Sequence, residues 1–226
     1  MSFINQNAPK CSPLTAHNVS RSSQLPASFL AVFLLLPLIS AVASYYAARS
    51  LLLVTFFVLG STAFAVFSRS QPDIRDQIFT TLIVSVSLSL LLASTLISDS
   101  LHGWDIHSEF NLFLQVQRSG TWSAEAGVLY NSVLSISVLP SMISAVSGLD
   151  GTKVFMFIFP GLFSIVPVVA YKIYRKILSP EAAFLSSLLF MSYPSFYEEM
   201  IALGKQEIAE LVLVLLLSLF FSNVAR

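Results

Sequence analysis

Titratable side chains crowd one stretch of the chain. Asp99, His102, Asp105, His107, Glu109, Glu125 and Asp150 all fall between 99 and 153. A second group follows at Glu198, Glu199, Lys205, Glu207 and Glu210. Carboxylates in such groups can take a proton from an attacking hydroxyl. They can also share a hard cation with a phosphate, as magnesium or manganese sites do. The spacing does not make a transition-metal site. On a helix His107 points away from Asp105, so His102, Asp105, His107 and Glu109 do not converge as zinc ligands require. Both tryptophans, Trp104 and Trp122, sit in the same stretch, where aromatic rings favour a membrane–water boundary.

The elements that must hold these residues are apolar. Of 226 residues, 55% are hydrophobic and 11% charged, against roughly 25% charged in an ordinary soluble domain. Mean hydropathy is +0.79. Basic and acidic residues number 12 each. That balance excludes a disordered chain and a nucleic-acid binder, which need net charge or basic clusters. The lone Cys11 excludes an internal disulfide and a zinc–cysteine site.

The charges lie between uncharged blocks, and a helix needs about 20 apolar residues to cross a bilayer. The expected fold is therefore all-α, a polytopic transmembrane bundle of about six spans. They fall near 27–48, 50–68, 77–98, 154–173, 182–200 and 207–224. Residues 1–25 are polar, carry Pro9 and Pro13, and read as a flexible cytoplasmic tail preceding a transmembrane domain over 26–226. Residues 99–153 form a long outer loop. The stretch 128–149 is uncharged but serine-rich and interrupted by Pro140. A seventh span there would separate the N-terminal tail from the basic cluster Lys172, Arg175 and Lys176. The positive-inside rule puts both in the cytoplasm, so 128–149 is placed on the outer surface as a re-entrant or partly buried helix. The expected location is the cell membrane, multi-pass, with the N-terminus cytoplasmic.

Within the loop, 105–117 reads as a helix. Ile106, Phe110, Phe113 and Leu114 share one face, and Asp105 and Glu109 stack on an adjoining polar face. A helix lying flat at a membrane surface has this pattern, and there the two acids need do no more than solvate it.

These residues resemble a known group. Gly103-Trp104-Asp105-Ile106-His107-Ser108-Glu109-Phe110, then Tyr130-Asn131-Ser132-Val133-Leu134-Ser135-Ile136 and Leu139-Pro140, resemble an uncharacterised, mostly archaeal family of multi-pass membrane proteins. Lys205-Gln206-Glu207-Ile208-Ala209-Glu210 resembles the same family, and the likeness covers about 100–226. That family is similar to the GT-C glycosyltransferases: protein mannosyltransferases, aminoarabinose transferases and oligosaccharyltransferases. The resemblance implies transfer of a sugar from a polyprenyl-phosphate donor to an acceptor on the non-cytoplasmic face. It implies Asp105 as the catalytic general base, with Glu109, Arg118, Glu198, Glu199 and Lys205 binding substrate or phosphate. It implies a magnesium or manganese ion on Asp105 and Glu198. GT-C enzymes usually carry more than six spans, so it also implies an N-terminal portion of a larger bundle, or a second polypeptide completing it.

Blander readings stand beside these. Lys205 suits a helix-end anchor, and Glu198 and Glu199 suit a solvated turn. Two alternative functions use the same elements. Pro37, Pro160, Pro167 and Pro194 fit the broken helices of a transporter or permease, although the centres of the apolar blocks carry no charge. Ser85, Ser89 and Ala93 recur every fourth residue and fit the packing face of a non-catalytic membrane subunit.

Overall fold

Pro72 begins the first long helix, where its fixed φ and missing N–H cost nothing. That helix, α1 (Pro72–Thr95), belongs to a computed structural model that describes residues 39, 60, 72–123 and 132–224. Next come α2 (Asp105–Ser119), α3 (Leu134–Ser147), α4 (Gly151–Tyr174), α5 (Pro180–Ser192) and α6 (Gly204–Val224). A π-helical turn at Ser195–Glu199 and a 3₁₀ turn at Met200–Ala202 join α5 to α6.

Proline decides where the helices bend or stop. Pro160 has no N–H to return to the carbonyl four residues back. The turn before it, Val154–Ile158, widens to π geometry, and the Phe159 N–H reaches Val154 O. Pro194 pushes the preceding residue out of the helical region. Tyr193 is accordingly extended, at φ −74° and ψ 132°, and α5 ends there.

Two apolar clusters hold the helices together. In the larger, α1 presents Ile78, Phe79, Leu82, Ile83 and Val86 at spacings of three and four, α4 and α5 pack against α1, and α6 packs along α4. The rings of Phe79 and Phe184 stack at 4.4 Å. The small residues Ser85, Ser89 and Ala93 are buried in this same interior. In the smaller cluster, Ile106 and Phe113 of α2 meet Val154, Phe155 and Phe159 of α4. Phe113 and Phe155 lie 5.9 Å apart, and Phe155 and Phe159 4.8 Å. Each fully buried ring contributes about 1.5–3 kcal/mol. At one end of α1 a polar clasp adds direction. Tyr171 Oη donates to Asp76 Oδ1 at 2.7 Å, and Arg175 Nε donates to the same oxygen at 3.1 Å.

The six-span bundle is corrected by these lengths. Among the described residues two helices, Arg75–Thr95 and Gly151–Tyr174, are long and apolar enough to cross a membrane, and 72% of the most apolar window of each is buried inside the protein. The expected span 182–200 is broken at Tyr193–Pro194. The expected span 207–224 lies in α6, whose first two turns carry Lys205, Glu207 and Glu210. α6 is not among the described helices that are long and apolar enough to cross a membrane. The expected spans 27–48 and 50–68 and the tail 1–25 lie outside the described residues, apart from Ile39 and Gly60. In place of a helix lying flat on a bilayer, α2 turns its apolar face onto α4, and α3 packs along α2. The polytopic fold, the bilayer as partner and the multi-pass cell-membrane location are therefore not upheld. Nor are the transporter and membrane-subunit alternatives built on them.

Gly151 marks the tightest helix contact. A Cβ there would sit 2.1 Å from Cε1 of Phe113, whose fully buried ring is held by Phe110 and Phe155. Gly151→Ala is expected to cost about 1–3 kcal/mol, the range for overpacking a filled core. Gly161, also helical, has no atom within 4 Å of such a Cβ, and Gly161→Ala is expected to gain about 0.5–1 kcal/mol. Urea midpoints of the two variants check both signs.

Candidate functional site

The first two turns of α6 gather the charges. Lys205 extends its ammonium between two carboxylates of α2, 2.9 Å from Glu109 Oε1 and 3.1 Å from Asp105 Oδ2. The Lys205 backbone N–H also donates to Glu109 Oε2 at 3.2 Å. Asp105 and Glu109, four residues apart on α2, thus face one lysine across the helix–helix boundary. The three differ in exposure: 53% of the Asp105 side chain is open, 18% of Lys205 and 1% of Glu109.

Two glycines allow this approach. Gly103, just before α2, has φ +122°, and a Cβ on it would lie 2.3 Å from that of Ala202. A side chain there would be both strained and blocked. Gly204 opens α6, and a Cβ on it would lie 3.0 Å from both Glu109 Oε2 and a ring carbon of Phe159.

Glu207 lies behind the clamp and is fully buried, and neither of its oxygens has a hydrogen-bond partner among the described residues. Burial, aided by the nearby charge of Glu109, pushes its carboxyl well above the ordinary value. The neutral acid is the form this site accepts. Burial raises Glu109 too, against the hydrogen bonds and charge of Lys205, which favour the carboxylate. For Lys205, burial opposes the charge, but the bonds to Glu109 and Asp105 outweigh it and hold the ammonium above its usual range. Chemically, the arrangement keeps a proton on Glu207, an ion pair at Glu109 and an accessible acceptor at Asp105.

The other residues singled out from sequence lie elsewhere. Arg118 is exposed in the last turn of α2. Glu198 and Glu199 are exposed on the π-helical turn, and the described hydrogen bonds of Asp105 and Glu109 all go to Lys205. No group of three or more His, Cys, Asp or Glu that could hold a metal ion occurs among the described residues, Asp105 and Glu198 included. His102 and His107 are exposed, and Trp104 is 93% exposed.

The sequence places Glu207 and Glu210 in the second charged group but assigns neither a role. A signal existed for the first. Gly204, Glu207, Leu211 and Val214 follow each other at helical spacing, and Val214 is buried, so Glu207 falls on an inward stripe.

Farther along α6, Glu210 borders a cavity of about 660 Å³ formed with α4, α5 and the π-helical turn. Its buried surfaces include Phe163, Phe196 and Met200, while Leu189 and Tyr193 stand exposed at its opening. Glu210 makes no hydrogen bond or ion pair among the described residues, and burial raises its carboxyl above the ordinary range.

Comparison of the chain with protein-family models, with curated proteins and with solved structures gives no match. The resemblance to the archaeal membrane family and to GT-C glycosyltransferases is therefore not upheld. Among the described residues two helices, not a bundle of that type, are long and apolar enough to cross a membrane, and no cluster of three or more His, Cys, Asp or Glu that could hold a metal ion occurs there. The glycosyltransferase activity and the polyprenyl-phosphate donor fall with it.

The two acids of the clamp should respond very differently to mutation. Lys205→Met strands Glu109 inside and is expected to cost about 3–5 kcal/mol. Asp105→Asn removes only a half-exposed pair and is expected to cost at most about 1 kcal/mol. Adding Glu109→Gln to Lys205→Met should recover part of the loss, a coupling that a double-mutant cycle in urea measures.

Glu207 predicts a pH dependence. Its folded pKa lies above the ordinary 4.5, so the folded chain binds this proton more tightly than the unfolded one. The resulting stability is fully present below about pH 4.5 and is lost as pH rises through the folded pKa. Glu207→Gln keeps a neutral, similar shape. It is expected to raise the melting temperature at neutral pH and to flatten the fall of stability as pH rises above about 4.5, read from thermal melts across a pH series.

Proposed function

We propose that the chain is a helical binding module that takes a small amphiphilic molecule, with a hydrocarbon body and a polar end, into the cavity between α4, α5 and α6. The observation that carries this reading is the cavity's construction. Its volume of about 660 Å³ lies within the roughly 300–1,000 Å³ typical of small-molecule sites. Phe163, Phe196 and Met200 supply buried apolar surface, and the hydroxyls of Ser186, Ser195 and Tyr174 and the carboxyl of Glu210 are the polar points. Mostly apolar walls with few convergent polar groups are what such ligands require.

The charged clamp has a supporting part in this reading. Lys205 fixes the start of α6 against α2, and Glu210 stands on the second turn of that same helix. A helix held at its first turn presents the next turn at a fixed position.

A neutral apolar fluorophore, N-phenyl-1-naphthylamine, tests the proposal. Saturable fluorescence enhancement is expected with the wild-type protein. Ser186→Trp places an indole in the cavity and is expected to weaken binding at least about tenfold, equivalent to about 1.4 kcal/mol. Leu185→Trp, on the exposed neighbouring position, is the control and should bind as wild type does. No saturable signal from wild type, or equal affinity in the two tryptophan variants, would overturn the reading.

A further inference from the structure

The cavity's polar end has a sign. Resting on the reading just given, we infer that the ligand's polar end is a protonated amine, held by the carboxylate of Glu210. The cavity's other lining residues bring no carboxylate, amine, guanidinium or imidazole, only aliphatic and aromatic carbons, serine hydroxyls and the phenols of Tyr174 and Tyr193. Glu210 is half-buried, and no described residue offers it a hydrogen bond or a positive charge. This contrasts with Glu109 one helix away, whose carboxylate is fully matched by Lys205. Among the described residues, one buried acid of this region is thus answered by an ammonium and the acid in the cavity is not.

Charge complementarity selects the occupant. A carboxylate among apolar walls is poorly solvated and gains most from a cation brought to it, because Coulomb attraction strengthens as the surroundings lose water. A ligand ammonium would also lie near aromatic rings, whose faces attract cations. An anionic head would meet like charge. An alcohol could offer one neutral hydrogen bond, roughly half as strong as a charge-assisted one. The burial that raises the Glu210 carboxyl marks the same deficit, a charge with no partner among the described residues.

Decylamine, 1-decanol and decanoate share one hydrocarbon chain and differ in head charge. Each can be titrated at pH 7 as a competitor of N-phenyl-1-naphthylamine, on wild type and on Glu210→Gln. In wild type, decylamine is expected to bind about tenfold more tightly than decanol, and decanoate most weakly. In Glu210→Gln, decanol should stay within about twofold of its wild-type affinity, which also shows that the cavity is intact. The amine's advantage should vanish there and decanoate should gain. If decanol equals decylamine on wild type, or if the amine's advantage survives in Glu210→Gln, the assignment of a cationic head falls while the cavity reading stands. If no decyl compound binds wild type, both fall together.

Discussion

One ammonium organises this end of the protein. Lys205 reaches from the first turn of α6 to two carboxylates of α2, and its own backbone N–H completes the coordination of the buried one. The geometry is unforgiving because Glu109 is sealed from water. A buried carboxylate without a partner costs several kcal/mol, so α2 and α6 cannot slide apart while Glu109 stays ionised and inside. The apolar contacts of Ile106 and Phe113 with α4 add to the adhesion of α2, but they are tolerant of small shifts. The ion pair is not, and it fixes register.

That register requires close backbones. Gly103 brings the loop before α2 against Ala202, and Gly204 leaves room for Glu109 and Phe159 together. Both glycines flank the charged residues they serve. The three acids of this region then fall into three states. Glu109 is paired with Lys205, Glu207 has no hydrogen-bond partner among the described residues and burial favours its neutral form, and Glu210 borders a cavity. Two of the three sit three residues apart on one helix, so small rotations about the α6 axis separate a structural role from an accessible one.

Parts of this were readable in the sequence. The helix at 105–119 shows in the spacing of Ile106, Phe110 and Phe113, because amphipathic periodicity is a local property. What that face meets is not local. A bilayer and the aromatic face of α4 demand the same apolar stripe, so the pattern alone does not separate them. Helix length suffered likewise. The apolar run after Pro180 looks continuous, yet Pro194 forces Tyr193 out of the helix. The burial of Glu109 was not legible, since its position four residues from Asp105 puts it on the polar side of the wheel. Only the distant Lys205 makes that burial tolerable. Glu207 was hidden for another reason: a run containing Lys205, Glu207 and Glu210 reads as a solvated helix start, and the inward stripe through Val214 shows only when the apolar positions beyond are counted with it.

The contrast between Glu207 and Glu210 separates stability from recognition. A buried acid with no partner weakens the fold at any pH that would ionise it, and Glu207 is only 1% exposed. Its retention of a proton is therefore the only way it can be accommodated. Glu210 carries a smaller version of the same cost, but at the wall of a cavity whose rim at Leu189 and Tyr193 is open. A deficit that solvent or a bound molecule can reach is one that binding can repair. Free energy released by repairing it adds to the affinity of whatever brings the missing charge, and to nothing that lacks it. The same residue type, placed one turn farther along one helix, thus changes from a liability fixed in the interior to a source of selectivity.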